Sequence, residues 1–272
     1  MLANTEPTPG GMIPGIYNFC DSWCERCLFT ARCRSYQMQH DAGLKQPLSG
    51  TSPAGVQTET AANPNASLVD QLTEALNLTK RYIEKLQKDN PSRLTDGPSA
   101  ADQQTLEEQA LERRHRTKQH PAAALASTYL KQTGTWLADE KGLLERAGRQ
   151  QLTEVSLGIR TEDEAMVHLT ALKDAYEQIR WYRTLIPVKT MAALRALDEP
   201  TNDPYLLDYY NGKAKLVLVS IERSLTAWQT ILHYYPDKLD NLLDMLADLS
   251  QLSRQVNALF PNARAFKRPG LD

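Results

Sequence analysis

Four cysteines, Cys20, Cys24, Cys27 and Cys33, fall within fourteen residues of a 272-residue chain, and the sequence holds no other. Packing gives no reason to gather thiols so tightly, whereas metal ligation does. The spacing is C-x3-C-x2-C-x5-C, in the run YNFCDSWCERCLFTARCRSY. A two-residue spacer lets the chain turn tightly and aim two sulfurs at one centre. Five residues then allow about one helical turn before the fourth ligand. Four soft thiolates suit a tetrahedral sulfur environment, and therefore zinc or an iron–sulfur cluster.

The opening residues, MLANTEPTPGGMIPG, show neither the basic n-region nor the apolar h-region of a secretory signal. No stretch approaches the roughly 20 apolar residues of a membrane helix. The expectation is a cytoplasmic protein with no membrane association. In that reducing setting, clustered thiols bind metal more readily than they form disulfides. A net charge of −2 supplies no global field toward nucleic acid. Nucleic acid is therefore not an expected partner, while a protein partner and the oligomeric state stay open.

The distribution of the ligands bears on which metal they hold. Structural zinc modules usually present two pairs of ligands separated by a dozen or more residues. Here no such gap exists, and compact runs are more typical of cubane clusters. Phe19, Trp23 and Phe29 are interleaved with the ligands and would shield a cluster. Arg26, Arg32 and Arg34 would offset the charge of four thiolates. A 4Fe-4S cluster is the first expectation, with zinc as the alternative.

The run CERCLFTARC followed by Arg34-Ser35-Tyr36 resembles the C-x2-C-x5-C end of the 4Fe-4S loop in helix-hairpin-helix DNA glycosylases. It is also similar to the corresponding staple of RecB-type nucleases. Cys24, Cys27 and Cys33 match the last three ligands of those families, whose first ligand lies further upstream than Cys20. The resemblance spans about ten residues, so it implies the metal and not the activity. Neither a glycine-rich helix-hairpin-helix turn nor a strand-borne Asp/Glu-x-Lys motif accompanies it. Cys20, Cys24 and Cys27 also match the C-x3-C-x2-C of radical S-adenosylmethionine enzymes. That family needs a strand-and-helix barrel and one iron free of protein, whereas here strands are not expected and Cys33 is ready to fill the open position. Over most of its length the chain is similar to bacterial helical proteins without an assigned activity. The segments carrying that likeness are NGKAKLVLVSIERSLTAW and NALFPNARAFKRPGLD.

Beyond the cysteines the pattern is helical throughout, and the expected fold is all-α: a helical bundle with an N-terminal four-cysteine metal-binding module. The module occupies residues 1–40, a flexible linker rich in Pro, Gly, Ser, Thr and Ala occupies 41–66, and the bundle occupies 67–272. Ser67 caps a helix carrying Leu68, Leu72, Leu76, Ile83 and Leu86. A second turn-rich stretch runs from Asp89 to Ala101. Good helix formers dominate 105–147, with divisions expected at Pro121 and near Gly134. Thr161 caps a long helix towards Ala196, with Leu169, Leu172, Tyr176, Ile179 and Ile186 inward and a kink at Pro187. A further helix spans about Pro204 to Tyr234. The last runs from Asp237 to Phe260, with Leu239, Leu242, Leu246, Leu249, Val256 and Phe260 as its seam.

Weaker constellations sit on these helices. Glu164, His168, Asp174, Glu177, Glu222 and His233 could build a di-iron carboxylate site between facing helices. Glu164 and His168 are, however, four residues apart and not three. The plainer expectation pairs Glu177 and Glu222 with Arg180, Arg183 or Arg223. The basic run Arg113 to Lys118 has Glu107, Glu108 and Glu112 before it as same-helix partners. No phosphate loop, nucleophile elbow or His-Glu-x-x-His helix occurs, so enzymatic activity is undecided. The functional expectation is a metal-binding helical protein whose centre is structural or transfers electrons. The alternatives are a zinc-module interaction scaffold and an oxidoreductase with a second site in the bundle.

Overall fold

Prolines and capping side chains set three of the helix starts. The computed structural model describes residues 11–40, 100–198 and 201–272. Its α-helices are α1 (Arg34–His40), α2 (Ala100–Gln119), α3 (Pro121–Asp139), α4 (Leu143–Ser156), α5 (Glu162–Leu194), α6 (Pro204–Tyr234) and α7 (Leu239–Leu259). Pro121 occupies the first position of α3, where its missing N–H costs nothing, and His120 Nδ1 accepts from the Ala122 amide at 3.1 Å. Thr161 and Glu164 form a reciprocal capping box at the start of α5, with bonds of 3.3 and 2.9 Å. Asp203 caps α6 through the Tyr205 amide at 2.9 Å, again with proline at the first position. Among the described residues there is no strand, and the protein is all-α. No described helix is long and apolar enough to cross a membrane. The linker expected at 41–66 and the helix expected from Leu68 to Leu86 lie outside the described residues.

One expectation about a break is corrected. Gly134 does not divide the chain, because α3 runs through it and ends five residues later, at Asp139. The glycine serves close approach instead. Arg183 lies across it, and a Cβ at 134 would stand 2.9 Å from Arg183 Nη2. Arg183 Nε donates to the carbonyl of Leu130 at 3.2 Å. At Pro187 the helix likewise continues, to Leu194.

The chain divides into two units, one of Met1–Asp41 with Glu112–Asp272, the other Ala42–Leu111. In the second, the described residues are the polar start of α2. In the first, α5 packs along α6, α6 on α7, α7 on α3 and α3 on α5, closing a four-helix ring, and α4 lies against α5. His168 stacks on Tyr234 while Tyr182 meets Arg223, so α5 and α6 run antiparallel.

The ring closes on a fully buried core that includes Tyr129, Leu172, Ile179, Ile221 and Trp228. On α7 the inward residues are Leu242, Met245, Leu249, Leu252, Val256 and Phe260. Leu239, expected inward, is 44% exposed. Leucines crowd the first half of that helix, and two adjacent stripes fit a three–four spacing equally well until packing chooses. One polar network crosses the core. Tyr129 Oη lies 2.5 Å from Ser224 Oγ and accepts from Trp228 Nε1 at 3.1 Å. Tyr129→Phe would leave the buried indole N–H without its acceptor. It is expected to cost about 1–3 kcal/mol in urea unfolding.

Candidate metal centre

The cysteine run folds as three one-turn 3-10 helices, Ile16–Asn18, Cys24–Arg26 and Thr30–Arg32, followed by α1. Cys20 lies just past the first turn, its thiol donating to the Tyr17 carbonyl at 3.7 Å. Cys24 opens the second turn and Cys27 closes it, the Cys27 amide donating to the Cys24 carbonyl at 3.2 Å. Cys33 closes the third turn on the Thr30 carbonyl at 3.3 Å. The C-x2-C spacing is thus one 3-10 turn, and C-x5-C adds a link and a second turn. The Phe29 amide donates to Cys27 Sγ at 3.4 Å.

All four cysteines are half-buried and free of disulfides. The Cys24 thiol is pushed up, first by burial and then by Cys20, Cys27 and Cys33, with Glu25 adding to the push. Thiols from all three turns therefore bear on one another. Among the described residues, no group of three or more His, Cys, Asp or Glu is arranged to hold a metal ion.

Asp21, next to the first cysteine, joins this segment to the bundle. Its Oδ2 accepts from Tyr182 Oη at 2.7 Å and from Arg223 Nη1 at 2.6 Å. Its backbone carbonyl accepts from Trp181 Nε1 at 3.1 Å. Burial pushes the Tyr182 hydroxyl up to about 12. Burial is the largest single effect on Arg223 and pulls its value down, but Tyr182, Asp21 and Asp272 together hold it above the ordinary guanidinium value. Asp21→Ala removes three side-chain bonds at once. The expected loss is about 2–3 kcal/mol in denaturant unfolding, against under about 1 kcal/mol for Asp174→Ala in the more exposed Arg26 pair.

The aromatic residues among the cysteines reach outward to the bundle. Trp23 stacks on Trp181 with ring centroids 4.9 Å apart. Phe19 meets Phe266 edge-on at 5.0 Å and lies directly over Gly212 of α6. Phe29 lines a cleft of about 370 Å³ together with Cys20, Cys27, Gln178, Arg223 and Arg268.

The expected cations are rearranged as well. Arg26 binds Asp174 at 2.8 Å and also Glu177, and it sits over the Trp23 ring at 4.5 Å. Arg32 Nε donates to the Gly11 carbonyl at 2.8 Å. On α5, Lys189 feels Cys20 and Asp21. Burial, and after it Lys213, hold the Lys189 ammonium below its ordinary value, while Cys20 and Asp21 act the other way.

The residues considered for a di-iron site are engaged elsewhere. Glu164 caps α5, Asp174 and Glu177 hold Arg26, and Glu222 binds Arg264 at 2.7 Å. His168 stacks on Tyr234 at 3.7 Å and meets Arg160. Glu177 and Glu222 do pair with arginines, but with Arg26 and Arg264 in place of the expected helix neighbours. In the basic run, Arg116 pairs with Glu112 one turn earlier at 3.1 Å. Asp21, Trp181, Tyr182, Lys189 and Gly212 escaped sequence reasoning. Their partners lie some 160 or more residues away, and only the aspartate beside Cys20 carried a local signal.

No protein-family model matches the chain. Neither a curated protein nor a solved structure shows significant similarity to it.

Proposed function

We propose that Cys20, Cys24, Cys27 and Cys33 together hold a 4Fe-4S cluster, with a structural or electron-transfer role. The observation that carries this reading is that four free, half-buried thiols are presented by three consecutive turns, with Cys20, Cys27 and Cys33 each adding to the push on Cys24. A metal centre would supply the positive charge that lets four thiolates come together. A bound cluster would supply one-electron exchange. The Phe29 amide already donates to the Cys27 sulfur, as amides do around ligated thiolates. Leu28, between Cys27 and Phe29, is 92% exposed and offers a protein partner an apolar contact beside the centre.

Zinc is the second reading. It draws support from the Cys24–Cys27 turn, in which an amide two residues on donates to the second sulfur, an arrangement equally suited to a tetrahedral ion. In that case the module is a docking surface and the bundle its scaffold.

Anaerobic purification followed by an absorption spectrum and iron, sulfide and zinc analysis separates the two. The cluster reading expects a brown protein with a broad band near roughly 400 nm and about four irons per chain. A colourless protein with one zinc would replace it by the second reading, and a metal-free protein would end both.

A further inference from the structure

We propose that the cleft beside the cysteine segment binds a small organic carboxylate with an apolar body, held by the guanidinium groups of Arg223 and Arg268. The site stands apart from the metal reading, since no cysteine is needed to hold the anion.

A guanidinium carries five N–H donors in a rigid plane, so a carboxylate on one edge leaves donors for a second acceptor. Arg268 is only 6% exposed and is held in this way. Its Nε and Nη2 donate to Asp272 Oδ1 at 3.1 and 2.7 Å, and Nη1 has no partner among the described residues. Arg223 is braced likewise. Its Nη1 donates to Asp21 Oδ2 at 2.6 Å and to Tyr182 Oη at 2.8 Å, while Nε and Nη2 have no partner among the described residues. Both arginines line the same cleft, of about 370 Å³. An arginine fixed before its anion arrives loses little freedom on binding it.

The carboxylate that lines the cleft is already satisfied. Asp21 Oδ2 accepts from Tyr182 and Arg223, and its Oδ1 accepts from the Trp23 amide at 3.3 Å. Arg26 adds a third guanidinium to the lining, whereas its partners Asp174 and Glu177 are not part of it. The lining is therefore positive on balance. Leu28, Phe29 and Leu271 make up an apolar share of it. Leu28 is largely exposed, and an apolar group packed there would remove it from water. The volume falls in the lower part of the range of small-molecule sites, roughly 300–1,000 Å³. Inorganic phosphate would meet the cations but leave the apolar wall in water, so a carboxylate with an apolar body fits better.

The test is a ligand-observed NMR titration of the full chain with phenylpropionate, its neutral counterpart phenylpropanol, and inorganic phosphate. Saturable one-site binding of phenylpropionate is expected, at least about tenfold tighter than that of either comparison compound. Equal binding of the acid and the alcohol overturns the role of the arginines. Phosphate binding as tightly as phenylpropionate overturns the apolar half of the proposal. No binding of phenylpropionate up to about 10 mM overturns the site itself. Gln178→Glu places a carboxylate on the lining and leaves the Asp21, Arg223 and Asp272–Arg268 contacts in place. It is expected to weaken phenylpropionate at least about tenfold and phenylpropanol by less than about twofold, with helicity unchanged by circular dichroism. Unchanged phenylpropionate affinity in that variant puts the probe elsewhere and overturns the assignment.

Discussion

Cys27→Ser is expected to cut metal content to below about a tenth of the parent value while leaving the bundle helical. Cys27 closes the second turn and receives the Phe29 amide on its sulfur, so it joins the two halves of the ligand run. A serine hydroxyl is a harder donor with a far higher pKa, and it cannot replace a thiolate in a four-sulfur environment. The helices have a separate source of stability. Their core is built from α3 to α7 and centred on residues such as Tyr129, Ile179 and Trp228. Metal analysis and far-ultraviolet circular dichroism on one sample check both halves of the expectation. Unchanged metal content would remove Cys27 from the ligand set.

Gly212→Ala is the second large effect, and it acts where α6 meets Phe19 of the cysteine segment. In a helix interior alanine is favoured over glycine by about 1 kcal/mol, so propensity alone predicts a gain. At this position the new Cβ would stand 2.3 Å from Phe19 Cε1 and 2.8 Å from Phe266 Cε1. Neither ring can yield easily, since each packs on the other and Phe19 also meets Tyr209. The clash outweighs the propensity, and a net loss of about 1–3 kcal/mol is expected in denaturant unfolding. A stabilised variant would mean that Phe19 does not occupy that seat.

The bundle was largely legible because helix signals are local. Thr161 with Glu164, Pro204 after Asp203, and Pro121 announce helix starts within four residues of chain, and the structure uses each of them. The misreadings share one physical cause. Gly134 reads as a breaker until Arg183, distant in sequence, is known to lie across it. Leu239 competes with Met245 and Leu252 for the inward face of α7, and only the neighbouring helices decide.

The cysteine segment shows the same division. Its ligand spacing is local and could be read directly as successive turns. The partners of Asp21, Trp23 and Phe19 are Tyr182, Trp181 and Gly212, brought to them by tertiary packing alone. Trp23 and Phe19 were expected to shield a cluster, yet their rings fasten the segment to α5 and α6. Likewise Arg26, expected to balance thiolate charge, binds Asp174 and Glu177.

X-ray absorption at the iron and zinc edges of the anaerobically purified protein tests the central claim most directly. The account predicts a metal whose nearest shell is sulfur at about 2.3 Å, with a short iron–iron vector in the cluster case. A shell of oxygen or nitrogen, or no metal at either edge, would contradict it.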